Sequence, residues 1–190
     1  RVRKLAKAMM ASGLEVGDRV GLWSPNYAEW TLVQFATAEI GVILVNINPA
    51  YRTHELTYAL NQSGCRWIVA APSFKTSDYR AMVAEVEDQC DLLERAVFFW
   101  DDDWSDLVAG SEQVSDDELA ERSASLTADD PINIQYTSGT TGFPKGATLT
   151  HRGILNNGHK VALGQNITHV DRLCIPVPFY HCFGMVMGNL

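Results

Sequence analysis

The chain has 190 residues, a formal net charge of −8 and a pI near 5.0, a balance that argues against a nucleic-acid partner held by a basic surface. Apolar residues make up 46% and charged residues 20%, the proportions of a soluble globular protein long enough for one sizeable core or two small ones. No apolar run reaches transmembrane length and no signal-peptide pattern is visible. Cys65, Cys90, Cys174 and Cys182 lack C-x-x-C spacing and read as reduced thiols in a cytoplasmic protein, not as a disulfide framework or a zinc site.

Taken in order, residues 1–12 carry apolar side chains at Val2, Leu5, Ala6, Met9 and Met10, a helical stripe closed by Gly13. Gly17 and Asp18 turn the chain into a strand over 19–23, and Ser24-Pro25 predicts an N-cap with proline at the first helical position. That helix presents Ala28, Leu32, Phe35 and Ala36 on one side and ends near Gly41. Residues 42–47 form a continuous aliphatic run, as expected of a strand buried on both faces. Thr53 predicts a cap for a helix through Leu60, stopped at Ser63-Gly64. A third strand over 67–71, a further helix over 76–90 and a fourth strand over 96–100 follow. Strands alternating with helices at this spacing imply βαβ units and an α/β fold with a parallel-rich sheet.

Residues 101–130 hold Asp101-Asp102-Asp103, Ser115-Asp116-Asp117-Glu118 and Asp129-Asp130, and read as a solvated acidic connection with one short helix near 115–122 and no metal site. Beyond it come a strand-like run at Ile132, Ile134 and Tyr136, a second over 147–150, a helix over 153–163 and a short buried strand over 173–177. The chain starts at Arg1 inside a helical pattern and stops at Leu190 inside an apolar one, as a piece of a longer protein would.

Between the two strand-like runs, Ser138-Gly139-Thr140-Thr141-Gly142-Phe143-Pro144 holds three hydroxyls and two glycines, and Lys145-Gly146 follows. Glycines let backbone N–H groups approach a ligand closely, hydroxyls rotate to meet oxygens, and lysine adds a compact positive charge. Those groups on one loop suit a polyphosphate. The spacing does not fit G-x-x-x-x-G-K-[ST], because Gly142 lies three residues before Lys145 and Gly146 follows it. A strand after the loop also leaves no helix N-terminus for the phosphates. Residues of this composition equally make an ordinary solvated hairpin.

A second cluster, Pro178-Phe179-Tyr180-His181-Cys182-Phe183-Gly184, follows the last predicted strand. Ligand sites of parallel α/β sheets gather beyond the carboxyl ends of strands, so this segment and the loop could face one crevice. A histidine in an apolar segment is otherwise a satisfied core residue.

The eleven residues from Tyr136 to Gly146 resemble, at every position, the phosphate-binding signature of the adenylate-forming enzymes. Residues 178–184 are similar to the acyl-site segment of their acyl-CoA synthetase branch, with Cys182 where relatives often carry a smaller residue. Gly17-Asp18-Arg19-Val20, Ser24-Pro25-Asn26 and Glu29-Trp30 resemble the opening of the family's large N-terminal domain. Residues 41–58, with Asn48-Pro49-Ala50-Tyr51, resemble its fatty-acyl members, medium-chain ones in particular.

The resemblance implies that 1–190 is part of an N-terminal AMP-binding domain, without the family's mobile C-terminal domain. The parent would activate a medium- or long-chain fatty acid with ATP to acyl-AMP and pyrophosphate, then pass the acyl group to CoA, with Mg2+ as cofactor. Thr137, Ser138, Gly139, Thr140, Thr141, Gly142 and Lys145 would bind the nucleotide phosphates. His181 and Lys145 would be catalytic, and His181, Phe183 and Gly184 would bind the acid. The family's magnesium glutamate, ribose aspartate, adenine pocket and late catalytic lysine do not occur in these residues, so the chain alone is expected to be inactive. The rival readings are a non-catalytic phosphate-binding α/β module and an adenylate-forming enzyme for an aromatic or amino acid.

Overall fold

A computed structural model of the chain describes residues 1–137, 144–174 and 176–190. Its centre is a six-stranded sheet built from β1 (Arg19–Trp23), β2 (Ile43–Ile47), β3 (Trp67–Ala70), β6 (Arg95–Phe98), β7 (Pro131–Thr137) and β8 (Lys145–Thr150). The strand order is β6-β3-β1-β2-β7-β8, parallel from β6 to β7, with β8 antiparallel at the edge. Between β3 and β6 lies a small hairpin, β4 (Ser73–Phe74) with β5 (Ser77–Asp78), that the sequence pattern did not signal.

Burial follows from this order. Parallel strands need cover on both faces, and β2 and β3 are buried at every residue. The edge strand β8 is exposed over its first four residues. Helices α1 (Val2–Ala11), α2 (Ala28–Glu39), α3 (Thr53–Ser63) and α4 (Tyr79–Val86) supply the cover, and Trp23, Trp30 and Tyr79 are among the largest wholly buried side chains. Trp23 and Tyr79 stack with ring centroids 3.6 Å apart.

Several expectations need correction. Helix α2 begins at Ala28, not at Pro25, and it buries Trp30, Val33, Ala36 and Thr37, while Ala28 is exposed. The Ser24 hydroxyl donates to the Pro25 carbonyl, so it is spent inside its own turn and caps nothing. Thr53 is the first residue of α3; the Arg52 N–H is instead capped by the Glu55 carboxylate at 3.0 Å. The helix expected over 76–90 is shorter: α4 ends at Val86, with a 3-10 turn over Glu87–Gln89.

The acidic connection is largely helical: α5 (Asp102–Ala109), a 3-10 turn over Gly110–Gln113, and α6 (Asp116–Ala124). Leu107 and Leu119 are buried, and Trp104 packs edge-on against Phe99. Ser115 and Glu118 form a reciprocal capping box, with Ser115 N–H to Glu118 at 2.7 Å and Glu118 N–H to the Ser115 hydroxyl at 3.1 Å. The charges face water while one apolar stripe faces α1.

The described residues of 173–177 (173, 174, 176 and 177) are not in the predicted buried strand. Leu173 and Cys174 are exposed coil, and no strand among the described residues lies alongside to pair with them. Helices α7 (His151–Gly164) and α8 (Cys182–Asn189) flank this coil, and α7 starts at its cap Thr150. Among the described residues no helix is long and apolar enough to cross a membrane.

Candidate functional site

Strands β2 and β7 run side by side with Asn46 paired to Gln135, and their carboxyl ends open on the same side. Both residues are buried among mainly apolar side chains of the sheet. Buried amides must find partners. Asn46 Nδ2 donates to Gln135 Oε1 at 3.0 Å and to the Tyr180 carbonyl at 3.2 Å; Gln135 Nε2 donates to that same carbonyl at 2.7 Å. The segment before α8 is thereby held over the strand ends.

His181 caps α8 with its own ring: Nδ1 accepts the Phe183 N–H at 3.2 Å. A ring nitrogen that accepts carries no proton, so the neutral imidazole keeps its hydrogen on Nε2. His181 is exposed, and Nε2–H is left to meet an acceptor outside the helix.

Beyond the strand ends lies a cavity of ≈ 580 Å³, within the usual range for small-molecule sites. Its lining includes Asn48, Tyr51, Thr137, Pro144, His181 and Cys182, and among the described residues no carboxylate reaches it. In a chain of net charge −8, a cavity without a carboxylate in its lining spares an anion direct contact with an acid.

Of the residues expected to act, Thr137 and His181 therefore line one cavity. Ser138, Gly139, Thr140, Thr141 and Gly142 lie outside the described residues. Lys145 is exposed at the first position of β8, opposite Thr137, whose hydroxyl faces the Lys145 carbonyl at 3.4 Å. Phe183 is half exposed and is not part of the lining. Gly184 is buried, and a Cβ there would stand 2.3 Å from the Pro178 carbonyl oxygen. Its lack of a side chain lets α8 start close under that carbonyl.

The loop's flanks are tied to α3. Tyr58 donates to the Pro144 carbonyl and Tyr136 to the Ala59 carbonyl, each at 3.0 Å. Burial pushes the Tyr136 phenol up to about 12, so it stays a donor at neutral pH. Sequence reasoning missed Asn46, Gln135 and Tyr58. The available signal was an amide inside an aliphatic strand, as in Val45-Asn46-Ile47 and Ile134-Gln135-Tyr136.

A family model described as AMP-binding enzyme matches residues 1–190. The chain belongs to the AMP-binding enzyme family. Within that family it is 40% identical over 207 residues to the Bacillus subtilis (strain 168) protein YngI, covering 99% of this chain and 38% of that one. It is also 40% identical over 212 residues to the mitochondrial medium-chain acyl-CoA ligase ACSF2 of Danio rerio, covering 100% of this chain and 34% of that one. The chain thus spans little more than a third of these relatives' length. ATP-bound MatB from Rhodopseudomonas palustris superposes with a TM-score of 0.80 at 26% identity, over 99% of this chain and 36% of that one. The N-terminal domain of FACL13 from Mycobacterium tuberculosis does so with 0.74 at 25% identity, over 97% and 44%. For an AMP-binding family member, the mostly parallel sheet with its β7–β8 hairpin is the shared architecture.

Proposed function

We propose that the gene product carrying these residues is an AMP-forming acid–CoA ligase acting on a medium- or long-chain fatty acid. The carboxylate attacks the α-phosphate of ATP, giving acyl-AMP and pyrophosphate; the CoA thiol then takes the acyl group and AMP leaves. The observation that carries this reading is Thr137 and His181 lining one acid-free cavity at the carboxyl ends of β2 and β7. The medium-chain relatives' names favour the substrate class, and the four free cysteines favour a reducing, cytoplasmic setting.

Phosphoryl chemistry of this kind is mostly positioning and charge neutralisation. Thr137, Ser138, Thr140, Thr141 and Lys145 are assigned to the β- and γ-phosphates, with Gly139 and Gly142 letting backbone N–H groups come close. The His181 Nε2–H is assigned to the carboxylate and to charge growing on the α-phosphate. Phe183 and Gly184 are assigned to the acyl channel beside it. Magnesium, when bound with the nucleotide, would neutralise phosphate charge; the chain's own residues are assigned only the phosphates and the acid. The chain is part of the family's large N-terminal domain on this reading, and is inactive without the remainder.

The test is ATP–pyrophosphate exchange and acyl-CoA formation by the gene product over a ladder of fatty, aromatic and amino acids. Exchange that peaks with medium- or long-chain fatty acids is the expected result. No exchange with any acid would overturn the enzyme reading, and a peak with aromatic or amino acids would overturn the substrate. Exchange catalysed by these 190 residues alone would overturn their inactivity.

A further inference from the structure

The main chain of residues 177–180 belongs to no helix or strand, yet side chains from three separate elements satisfy it. Asn26, in the turn before α2, spans two peptides: its Oδ1 accepts the Phe179 N–H at 2.7 Å and its Nδ2 donates to the Val177 carbonyl at 3.0 Å. Asn46 and Gln135 both donate to the Tyr180 carbonyl. Three amides therefore fix the backbone that ends at His181.

The amides on the sheet are ordered among themselves. Asn133 Nδ2 donates to the Leu44 carbonyl and to Asn46 Oδ1, at 3.0 and 2.9 Å. That leaves Asn46 Nδ2 to face Gln135 Oε1 and Tyr180, and it leaves Gln135 Nε2 with Tyr180 as its acceptor. The direction of each amide is set by the one before it. Asn46 and Asn133 are 1% and 2% exposed, so unmade bonds there would leave buried amides without partners. Aliphatic side chains would fill the same strand positions without needing partners, but they could not hold a carbonyl.

Gln135 precedes Thr137 by two residues on β7, and Tyr180 precedes His181 by one. The clamp therefore joins the strand that leads into the phosphate loop to the segment that presents the imidazole. We propose that Asn26, Asn46 and Gln135 are positioning residues that register His181 on the phosphate-loop strand. This rests on the acid–CoA ligase reading for its effect on rate, but not for its effect on structure.

Two variants of the gene product test it. Gln135→Met keeps the side chain's length and removes its hydrogen bonds. Asn26→Ala acts from an exposed turn outside the cavity lining, where the fold is not at risk. Both are expected to speed amide hydrogen exchange over residues 179–184. Both should also lower kcat for acid-dependent pyrophosphate exchange about tenfold to a hundredfold, with KM for ATP within about twofold. Asn26→Asp, which keeps the acceptor for Phe179 and loses the donor to Val177, should recover part of the loss. Unchanged hydrogen exchange in both variants would overturn the clamp. A loss of kcat that comes with an equal rise in KM for ATP, or no loss of kcat at all, would overturn the positioning role. A wild-type protein that activates no acid would instead sink the ligase reading, and hydrogen exchange would still judge the clamp.

Discussion

The Tyr58 hydroxyl donates to the Pro144 carbonyl across 3.0 Å, so a side chain on α3 holds the last residue before β8. Gln62, one turn further along α3, donates to the same hydroxyl at 2.7 Å. Tyr58→Phe removes the donor and leaves both partners to water. We expect a loss of about 1 kcal/mol in urea unfolding. If the bond is made only in the nucleotide-competent form, KM for ATP should rise about fivefold. An unchanged KM would show that Pro144 does not need Tyr58 for nucleotide binding.

Gly184→Ala places a methyl against main chain, 2.3 Å from the Pro178 oxygen and 2.8 Å from that of Val177. Backbone held by Asn26 yields poorly, so overpacking should destabilise by about 1–3 kcal/mol. Gly188→Ala in the same helix meets only the edge of the Phe179 ring, at 3.2 Å, and should have the smaller effect. Equal midpoints in a denaturant titration would contradict this.

Lys145→Ala in the gene product should slow acyl-adenylate formation about a hundredfold, the scale for losing one charged group at a developing phosphate charge. Thioester formation from supplied acyl-adenylate should change much less. Equal slowing of both half-reactions would remove Lys145 from the phosphates.

Alkaline pH should weaken the fold. Burial raises the Cys65 thiol from its ordinary 9.0 to about 12 and the Tyr136 phenol from 10.0 to about 12. Below pH 9 the Cys65 thiol is protonated folded and unfolded, so it adds no pH dependence. Above it, the unfolded chain gives up a proton that the folded chain keeps, and stability falls as pH rises toward 12. Cys65 alone contributes about 1.4 kcal/mol per pH unit within that window. Urea midpoints at pH 8, 9 and 10 measure it; a flat profile would show that the thiol is not buried. At pH 8 a thiol reagent should label Cys174 and Cys182 in the folded chain and reach buried Cys65 and Cys90 only on unfolding.

The alternation of β1, β2, β3 and β6 with helices was legible because aliphatic runs and Gly turns are local signals, as at Gly41 and Gly64, both left-handed. The strand-like runs on both sides of the loop pointed to a hairpin, and β7 and β8 do pair antiparallel. In the acidic stretch the short helix expected near 115–122 is α6, with the Ser115–Glu118 capping box, but α5 was missed because Trp104 and Leu107 are few among carboxylates. Residues 173–177 have strand composition, but a strand exists through its partner. Asn46 and Gln135 showed only as amides inside strand-like runs, and what the amides of Asn26, Asn46 and Gln135 bind was not legible, because their acceptors lie far along the chain: Asn26 bonds Phe179 across 153 residues.

The pairing of β2 with β7 has a kinetic consequence. Asn133 reaches the Leu44 carbonyl from 89 residues away, a wider gap than separates any other two neighbouring strands of the sheet. Closing that loop carries the largest entropy penalty among the strand pairings of the sheet. The β6-β3-β1-β2 unit can form from nearer contacts, whereas the cavity waits on the last seam to close. Substitutions on β3 should therefore slow refolding itself, whereas those at Asn133 or Asn46 should mainly hasten unfolding.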